Sequence, residues 1–277
     1  ESVDLIYLDP PFNSKRAWSM QVQGQQQVAF SDKWKWGAAS EQEIGILACC
    51  GAVTAWLEVF ALLHKPRSGT LAYLVMMAAR LLQLHRVLKP SGSLYLHCDD
   101  SAGHYLKLLL DAIFTPENFL GQIAWVRVTG GKSVTKRNFQ RVHDTIFVYR
   151  KSAQCAAPRF KNGVLNGKTV RPSTHYSKER FASPPSMSAA MFNLKGDLWN
   201  DAKVKPIGSR SKERTGYPTQ KPLTLLERII RASSNPGDVV LDPFMGAGTA
   251  IAAAERFARN WIGIDMGELS FMVTQER

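Results

Sequence analysis

Val239-Val240-Leu241-Asp242-Pro243-Phe244-Met245-Gly246-Ala247-Gly248-Thr249, near the end of the chain, joins an apolar run to a turn of acid, proline and glycines. A stretch of the same build, Asp4-Leu5-Ile6-Tyr7-Leu8-Asp9-Pro10-Pro11-Phe12, lies near the start. In each, apolar residues continue without alternation until Pro or Gly stops them, which predicts a short strand of a parallel sheet buried on both faces. The polar residues then sit just past the C-terminal ends of two strands, where open α/β sheets bind ligands, and neighbouring strands can serve one crevice however far apart they lie in the chain.

Between these two turns, Asn13 to Trp36 is polar and Gln-rich, with Gln25-Gln26-Gln27, Trp34 and Trp36, and reads as a long loop. Leu71, Leu74, Val75, Ala78, Leu81, Leu82, His85 and Leu88 recur at threes and fours and predict an amphipathic helix over 70–88, ended by Pro90-Ser91-Gly92. Ser93 to Cys98 predicts a strand, Tyr105 to Phe114 a helix, and Ile123–Val126 with Thr145–Tyr149 a strand pair that completes the sheet edge. Residues 150–215 are rich in Lys, Ser, Pro and Asn with little periodicity. Pro222 to Ser233 predicts a helix, Asn235-Pro236-Gly237-Asp238 a turn, Thr249 to Phe257 a helix and Trp261 to Asp265 the last strand.

At 277 residues the chain can bury a full core. It has no apolar run of about 18 residues to span a membrane, and no secretory signal. It starts at Glu1, almost inside a predicted strand, as a fragment of a longer protein would. Four cysteines without a C-x-x-C spacing speak against a metal site and for a reducing compartment, and Cys49 and Cys50, in an apolar run, read as buried thiols. The net charge of +12 is concentrated in one segment: residues 127–214 hold 19 Lys and Arg against 5 Asp and Glu, the remainder 16 against 18. Phe139, Phe147, Tyr149, Phe160, Tyr176, Phe181 and Trp199 interleave these charges, which favours a polyanion-binding insert over a merely solvated face. Two regions follow, a catalytic domain of residues 1–126 and 215–277 and a region of residues 127–214 made of the strand pair and a basic recognition segment.

The turn at Asp242, a glycine-opened helix and Asp265 at the next strand end form a nucleoside-binding pattern, the acid accepting bonds from ribose hydroxyls. Ile251 at the third glycine position departs from the dinucleotide fingerprint, and a lone G-x-G is often only a tight turn. At Asp9 to Phe12 the two prolines have no N–H, so the turn offers acceptors, which suit an exocyclic amino group. A rigid strand-ending turn with Phe12 in the core explains the same four residues as well. His97, Asp99 and Asp100 read first as structural, His143-Asp144 as a satisfied polar pair, and Trp34 and Trp36 equally as packing or as a cover over the site.

Asp9-Pro10-Pro11-Phe12, a basic insert, Tyr217-Pro218-Thr219-Gln220-Lys221-Pro222, the Asp242 turn and Gly263-Ile264-Asp265, in that order, resemble the β class of S-adenosylmethionine-dependent DNA amino-methyltransferases. The resemblance implies a Rossmann-like α/β fold with a mostly parallel sheet, helices on both faces, circularly permuted motifs and a target-recognition insert. It implies Asp9, Pro10, Pro11 and Phe12 as catalytic. It places Leu8, Asp9, Thr219, Gln220, Lys221, Pro222, Asp242, Pro243, Phe244, Gly246, Gly248, Thr249 and Asp265 around S-adenosyl-L-methionine, with Asp242 and Lys221 on its methionine end and no metal. Lys132, Lys136, Arg137 and Arg141 are the candidate DNA contacts. Asp at the first tetrad position is similar to the adenine-N6 subgroup, whereas cytosine-N4 enzymes more often carry Ser, and Phe12 replaces the commoner Tyr. The implied partners are double-stranded DNA, a homodimer and a cognate restriction endonuclease; the implied setting is bacterial, archaeal or phage-encoded and cytoplasmic. Two departures leave a truncated chain open: the third strand of the cofactor half and the sequence preceding the catalytic motif are both missing. Cytosine-N4 methylation and a catalytically inactive DNA-binding remnant are the competing readings.

Overall fold

The computed structural model describes residues 1–127, 141–154, 164–165, 168–169, 197–200, 204–208 and 210–277. The N-terminal half contains β1 (Val3–Leu8), β2 (Ala17–Val22), β3 (Gln25–Ser31), α1 (Ala38–Leu47), α2 (Gly51–Leu63), α3 (Gly69–Val87), β4 (Leu88–Cys98), α4 (Gly103–Phe114) and β5 (Phe119–Val126). Then come β6 (His143–Arg150), the short antiparallel pair β7 (Val164–Leu165) and β8 (Lys168–Thr169), and β9 (Leu198–Trp199). The C-terminal part holds α5 (Leu223–Ser233), β10 (Val239–Asp242), α6 (Thr249–Arg256), β11 (Asn260–Gly263) and α7 (Glu268–Glu276).

Seven strands form one sheet in the order β11-β10-β1-β4-β6-β5-β9. β11, β10, β1 and β4 run parallel, as their uninterrupted apolar composition predicts, and β6 and β5 join antiparallel. β9 extends the sheet beyond the predicted strand pair, parallel to β5. Alternate residues of β1 enter opposite cores: Ile6 and Leu8 pack with α1 to α4, Leu5 and Tyr7 with α5 and α6. Helices therefore cover both faces. The crossover from β1 through α3 lies on one face and that from β10 through α6 on the other, so the sheet reverses its winding between β1 and β10, the position where doubly wound sheets open a crevice.

Four expectations need correction. Residues 13–36 are not a loop: Ala17–Val22 and Gln25–Ser31 form an antiparallel hairpin. Gln23 (φ 49°) and Gly24 (φ 80°) both have positive φ, as a two-residue primed turn demands, and Trp18, Met20 and Val22 alternate as a strand should. Pro90-Ser91-Gly92 is not a turn either, but an irregularity inside β4, where the pairing with β1 jumps from Val3–Leu88 to Leu5–Ser93. There a Cβ on Gly92 would come within 2.9 Å of the Asp4 carbonyl oxygen. α3 is buried nearly all round rather than amphipathic, with Leu71 through Ala79 continuously inside. Cys49, exposed, and Cys50, half-buried, mark the break between α1 and α2 instead of packing in one helix.

Leu74, at the centre of α3 with no exposed surface, anchors the larger core. Leu74→Ala is expected to cost about 2–5 kcal/mol in urea denaturation through lost transfer energy and the cavity left behind. A loss below about 1 kcal/mol would show that this helix does not carry the core.

Candidate active site

β1 and β10 are parallel neighbours, Leu5 opposite Val240 and Ile6 opposite Leu241, so their closing turns leave the sheet together. Asp9 and Asp242 accordingly line one cavity of about 1860 Å³, although 232 intervening residues separate them in the chain.

The Asp9 turn is built around one ion pair. Lys221, in the loop before α5, binds Asp9 Oδ2, while Asp9 Oδ1 is buried without a hydrogen-bond partner. The same ammonium lies 5.2 Å from the centre of the Phe12 ring. Buried Asp32 ties down the chain after Phe12, accepting the N–H groups of Asn13 (3.0 Å) and Ser14 (2.6 Å) and the indole of Trp34 (2.8 Å). Trp34 also sets its ring edge-on to Tyr73, and Trp36 donates to Glu41, so both indoles are engaged within the fold.

Lys221 is itself positioned by its loop. Its carbonyl accepts from Thr249 Oγ1 at 3.2 Å, and Gln220 spends both ends of its amide on Thr215 and the Glu213 carbonyl. Thr219 adopts φ 62°, a left-handed conformation for a non-glycine residue that tight turns tolerate at some cost in strain.

In the second turn, Gly246 (φ 49°) and Gly248 (φ 67°) both need left-handed backbone, and a Cβ on Gly248 would meet Thr274 at 2.6 Å. Asp265 joins this turn to the one after β11, taking the N–H of Gly246 on Oδ2 (3.0 Å) and that of Gly267 on Oδ1 (2.8 Å). Asp242 accepts the Phe244 N–H at 3.1 Å. Burial pushes its carboxyl well above the usual range; that N–H pulls the other way, and the charges of Asp9 and Asp265 add to the rise. A carboxylate so placed suits a ligand ammonium, and the adjoining left-handed glycines leave the turn without side chains. These residues fit an amino-acid nucleoside such as S-adenosylmethionine.

Most predicted site residues thus meet in one place. Leu8, Pro222 and Gly248 do not line the cavity: Leu8 lies in the core, Pro222 caps α5 and Gly248 packs on Thr274 at the start of α6. Among the proposed DNA contacts, Arg141 lines the cavity in an ion pair with Asp100 at 2.8 Å, and Lys132, Lys136 and Arg137 lie outside the described residues. Asp144 pairs with His97 of β4 rather than with its exposed neighbour His143. Sequence reading missed the stack of Trp18, Phe30 and Tyr217, whose ring centres are 6.2 and 6.4 Å apart at the cavity wall, because the hairpin that carries it was read as a loop. Trp125 and Arg127 of the wall were missed too, for want of any motif at the end of β5.

A family model described as DNA methylase matches residues 3–275. The DNA adenine methyltransferase YhdJ of Escherichia coli K12 is 28% identical over 271 residues, covering 96% of this chain and 72% of that protein. The chain spans about half the length of two type II methyltransferases that it also matches. Among solved structures, the PvuII DNA methyltransferase (cytosine-N4-specific) aligns with a TM-score of 0.56 at 16% identity, over 99% of this chain and 79% of that one. A DNA modification methylase of Thermus thermophilus, complexed with S-adenosyl-L-methionine, aligns with a TM-score of 0.53 at 18% identity, over 100% and 85%. At these identities the structural likeness establishes the shared fold.

The buried Asp242 makes stability depend on pH. Its folded pKa lies above the unfolded value, so the fold favours the protonated acid; that contribution is complete below the unfolded pKa and is lost as pH rises through the folded one. Asp242→Asn, which removes the desolvated charge, is expected to raise the melting temperature of the ligand-free protein more at pH 8 than at pH 5. An equal or lower melting temperature at pH 8 would contradict this account of the carboxylate.

Proposed function

The chain belongs to the DNA methylase family, whose model spans residues 3–275, and from that premise we propose a site-specific adenine-N6 DNA methyltransferase that uses S-adenosyl-L-methionine. The observation that carries the reading is Asp9: one carboxylate oxygen is fixed by Lys221, and the other, buried and unpartnered, stands beside the Asp242 turn in the same cavity. The tetrad's leading Asp and the match to a DNA adenine methyltransferase favour adenine over cytosine.

The bound donor supplies an electrophilic sulfonium methyl. The protein's task is to prepare the nucleophile, because the lone pair of an exocyclic amine is delocalised into its ring. Asp9 Oδ1 accepts one amino N–H and the Pro10 carbonyl the other, which favours a pyramidal nitrogen with its lone pair free for direct in-line attack. The nitrogen gains the methyl and loses one proton, for which Asp9 is the adjacent acceptor. Lys221 fixes which Asp9 oxygen faces the base and has further donors for a ligand carboxylate. Asp242 takes the ligand ammonium and Asp265 the ribose hydroxyls. Alignment of the two reactants contributes most, since orientation can be worth about 7–11 kcal/mol.

A duplex hides the amine, so the base is flipped out at a cost of a few kcal/mol, which stacking on Phe12 offsets by about 1–3 kcal/mol. Arg141 contributes phosphate contacts whose strength falls with salt. A homodimer, a cognate restriction endonuclease and a cytoplasmic setting belong to the same reading and rest on the family likeness.

Labelled S-adenosylmethionine and unmethylated bacterial genomic DNA, followed by nucleoside analysis, test the proposal. The expected product is N6-methyladenine, with Asp9→Asn slower by roughly 10²- to 10⁴-fold. N4-methylcytosine would move the target to the other amine. Salt-sensitive DNA binding without any transfer would leave a DNA-binding protein and overturn the reading.

A further inference from the structure

Behind the Asp9 turn, side chains of β1, β4 and β6 close on a histidine that the chemistry above does not use. His97 of β4 is fully buried, with Nδ1 3.0 Å from the hydroxyl of Tyr7 and Nε2 3.4 Å from Asp144 Oδ2. With a neutral imidazole, Tyr7 donates to Nδ1 and Nε2–H donates to Asp144. The same direction follows from the environment. Burial first, then the charges of Asp9, Asp242 and Asp144, push the Tyr7 hydroxyl far up and keep it protonated. Burial raises the Asp144 carboxyl, but His97, Lys221 and Arg127 outweigh it and hold the group below its usual range, ionised. Arg127 Nε reaches Asp144 Oδ1 at 3.1 Å without hydrogen-bond alignment, so both atoms are buried and unsatisfied.

Packing alone does not call for such a chain, since buried ionic groups can often be replaced by apolar residues with no loss of stability. What singles it out is its position. Tyr7, Asp144 and Arg127 line the cavity that holds Asp9, and the His97 ring supports Phe12 (centres 5.8 Å apart, planes at 31°) and Trp125 (5.4 Å, 87°). His97 is thus the one side chain among the described residues that joins the strand under Asp9, the ring that follows the two prolines and the far wall of the cavity.

We propose that His97 is a positioning residue of the base pocket: held by Tyr7 and Asp144, it fixes the Phe12 ring against which the flipped base stacks. The inference rests on the methyltransferase reading. His97 contacts no reactant and acts through Phe12, so its loss slows turnover while donor binding at Asp242 and Asp265 persists.

The test is steady-state methylation of genomic DNA by the whole chain and by His97→Leu, His97→Gln and Tyr7→Phe. The expected result is a kcat about tenfold lower in His97→Leu, with the KM for S-adenosylmethionine within about twofold, as misplaced alignment without lost binding requires. His97→Gln, which can still donate towards Asp144, should recover part of the rate, and Tyr7→Phe should lose part of it. An unchanged kcat in a folded His97→Leu overturns the proposal, as does a KM for the donor that rises in step with the loss of kcat. Should His97→Leu not fold, an unchanged kcat in Tyr7→Phe overturns it alone. A wild-type chain that transfers no methyl group refutes the methyltransferase reading itself, an outcome distinct from normal transfer by the wild type and all three variants.

Discussion

The parallel pairing of β1 with β10 is the constraint on which the site depends. Its register sets Ile6 against Leu241, so Asp9 and Asp242 emerge from adjacent strand ends although most of the chain lies between them. Apolar burial on both faces enforces that register, because a slip of one residue would exchange the two cores into which Leu5 and Ile6 point. The reversed order of the two motifs therefore has no consequence for their geometry. A sheet reads its strands by adjacency, and the chain can reach the same edge through α3 and β4 first or through α5 and β10 last.

Around that edge the protein gathers charge that the fold does not need. Asp9, Asp242 and Asp265 share one cavity, and the raised Tyr7 and Asp242 acidities record the mutual cost. Lys221 offsets part of it at Asp9, and Asp265 is satisfied by two backbone N–H groups. Asp242 has less. A site that is costly when empty and relieved by a cation is built for binding, since polar groups left wanting in the free protein are satisfied by the correct ligand alone. The positive φ values of Thr219, Gly246 and Gly248 fit the same picture of conformations held by their surroundings at functional turns.

The parallel strands, the two turns and the helices around them were legible because each depends on local signals: unbroken apolar runs, proline and glycine stops, and periods of three and four. The hairpin was not. Gln25, Gln26 and Gln27 masked an alternation that Trp18, Met20, Val22 and Phe30 carry, and the turn at Gln23-Gly24 lacks the Asn or Asp that usually announces it. With the hairpin went the aromatic wall and the anchoring role of Asp32. The partners of Lys221 and His97 were illegible for a deeper reason, because contacts across 212 and 90 residues are set by strand order, which no local window contains. The bulge at Pro90-Ser91-Gly92 misled in the opposite direction, a strong breaker signal absorbed into a strand by its pairing with β1.

If the two halves of the chain make one cavity in which the Asp242 turn holds the methyl donor beside Asp9, the donor's affinity must depend on that carboxylate. Calorimetric titration of S-adenosylmethionine into the wild type and Asp242→Asn measures this dependence. The expected result is saturable one-site binding by the wild type and an affinity at least about tenfold weaker in the variant, the loss of a charge-assisted hydrogen bond. Equal affinities, or no binding by the wild type, would contradict it.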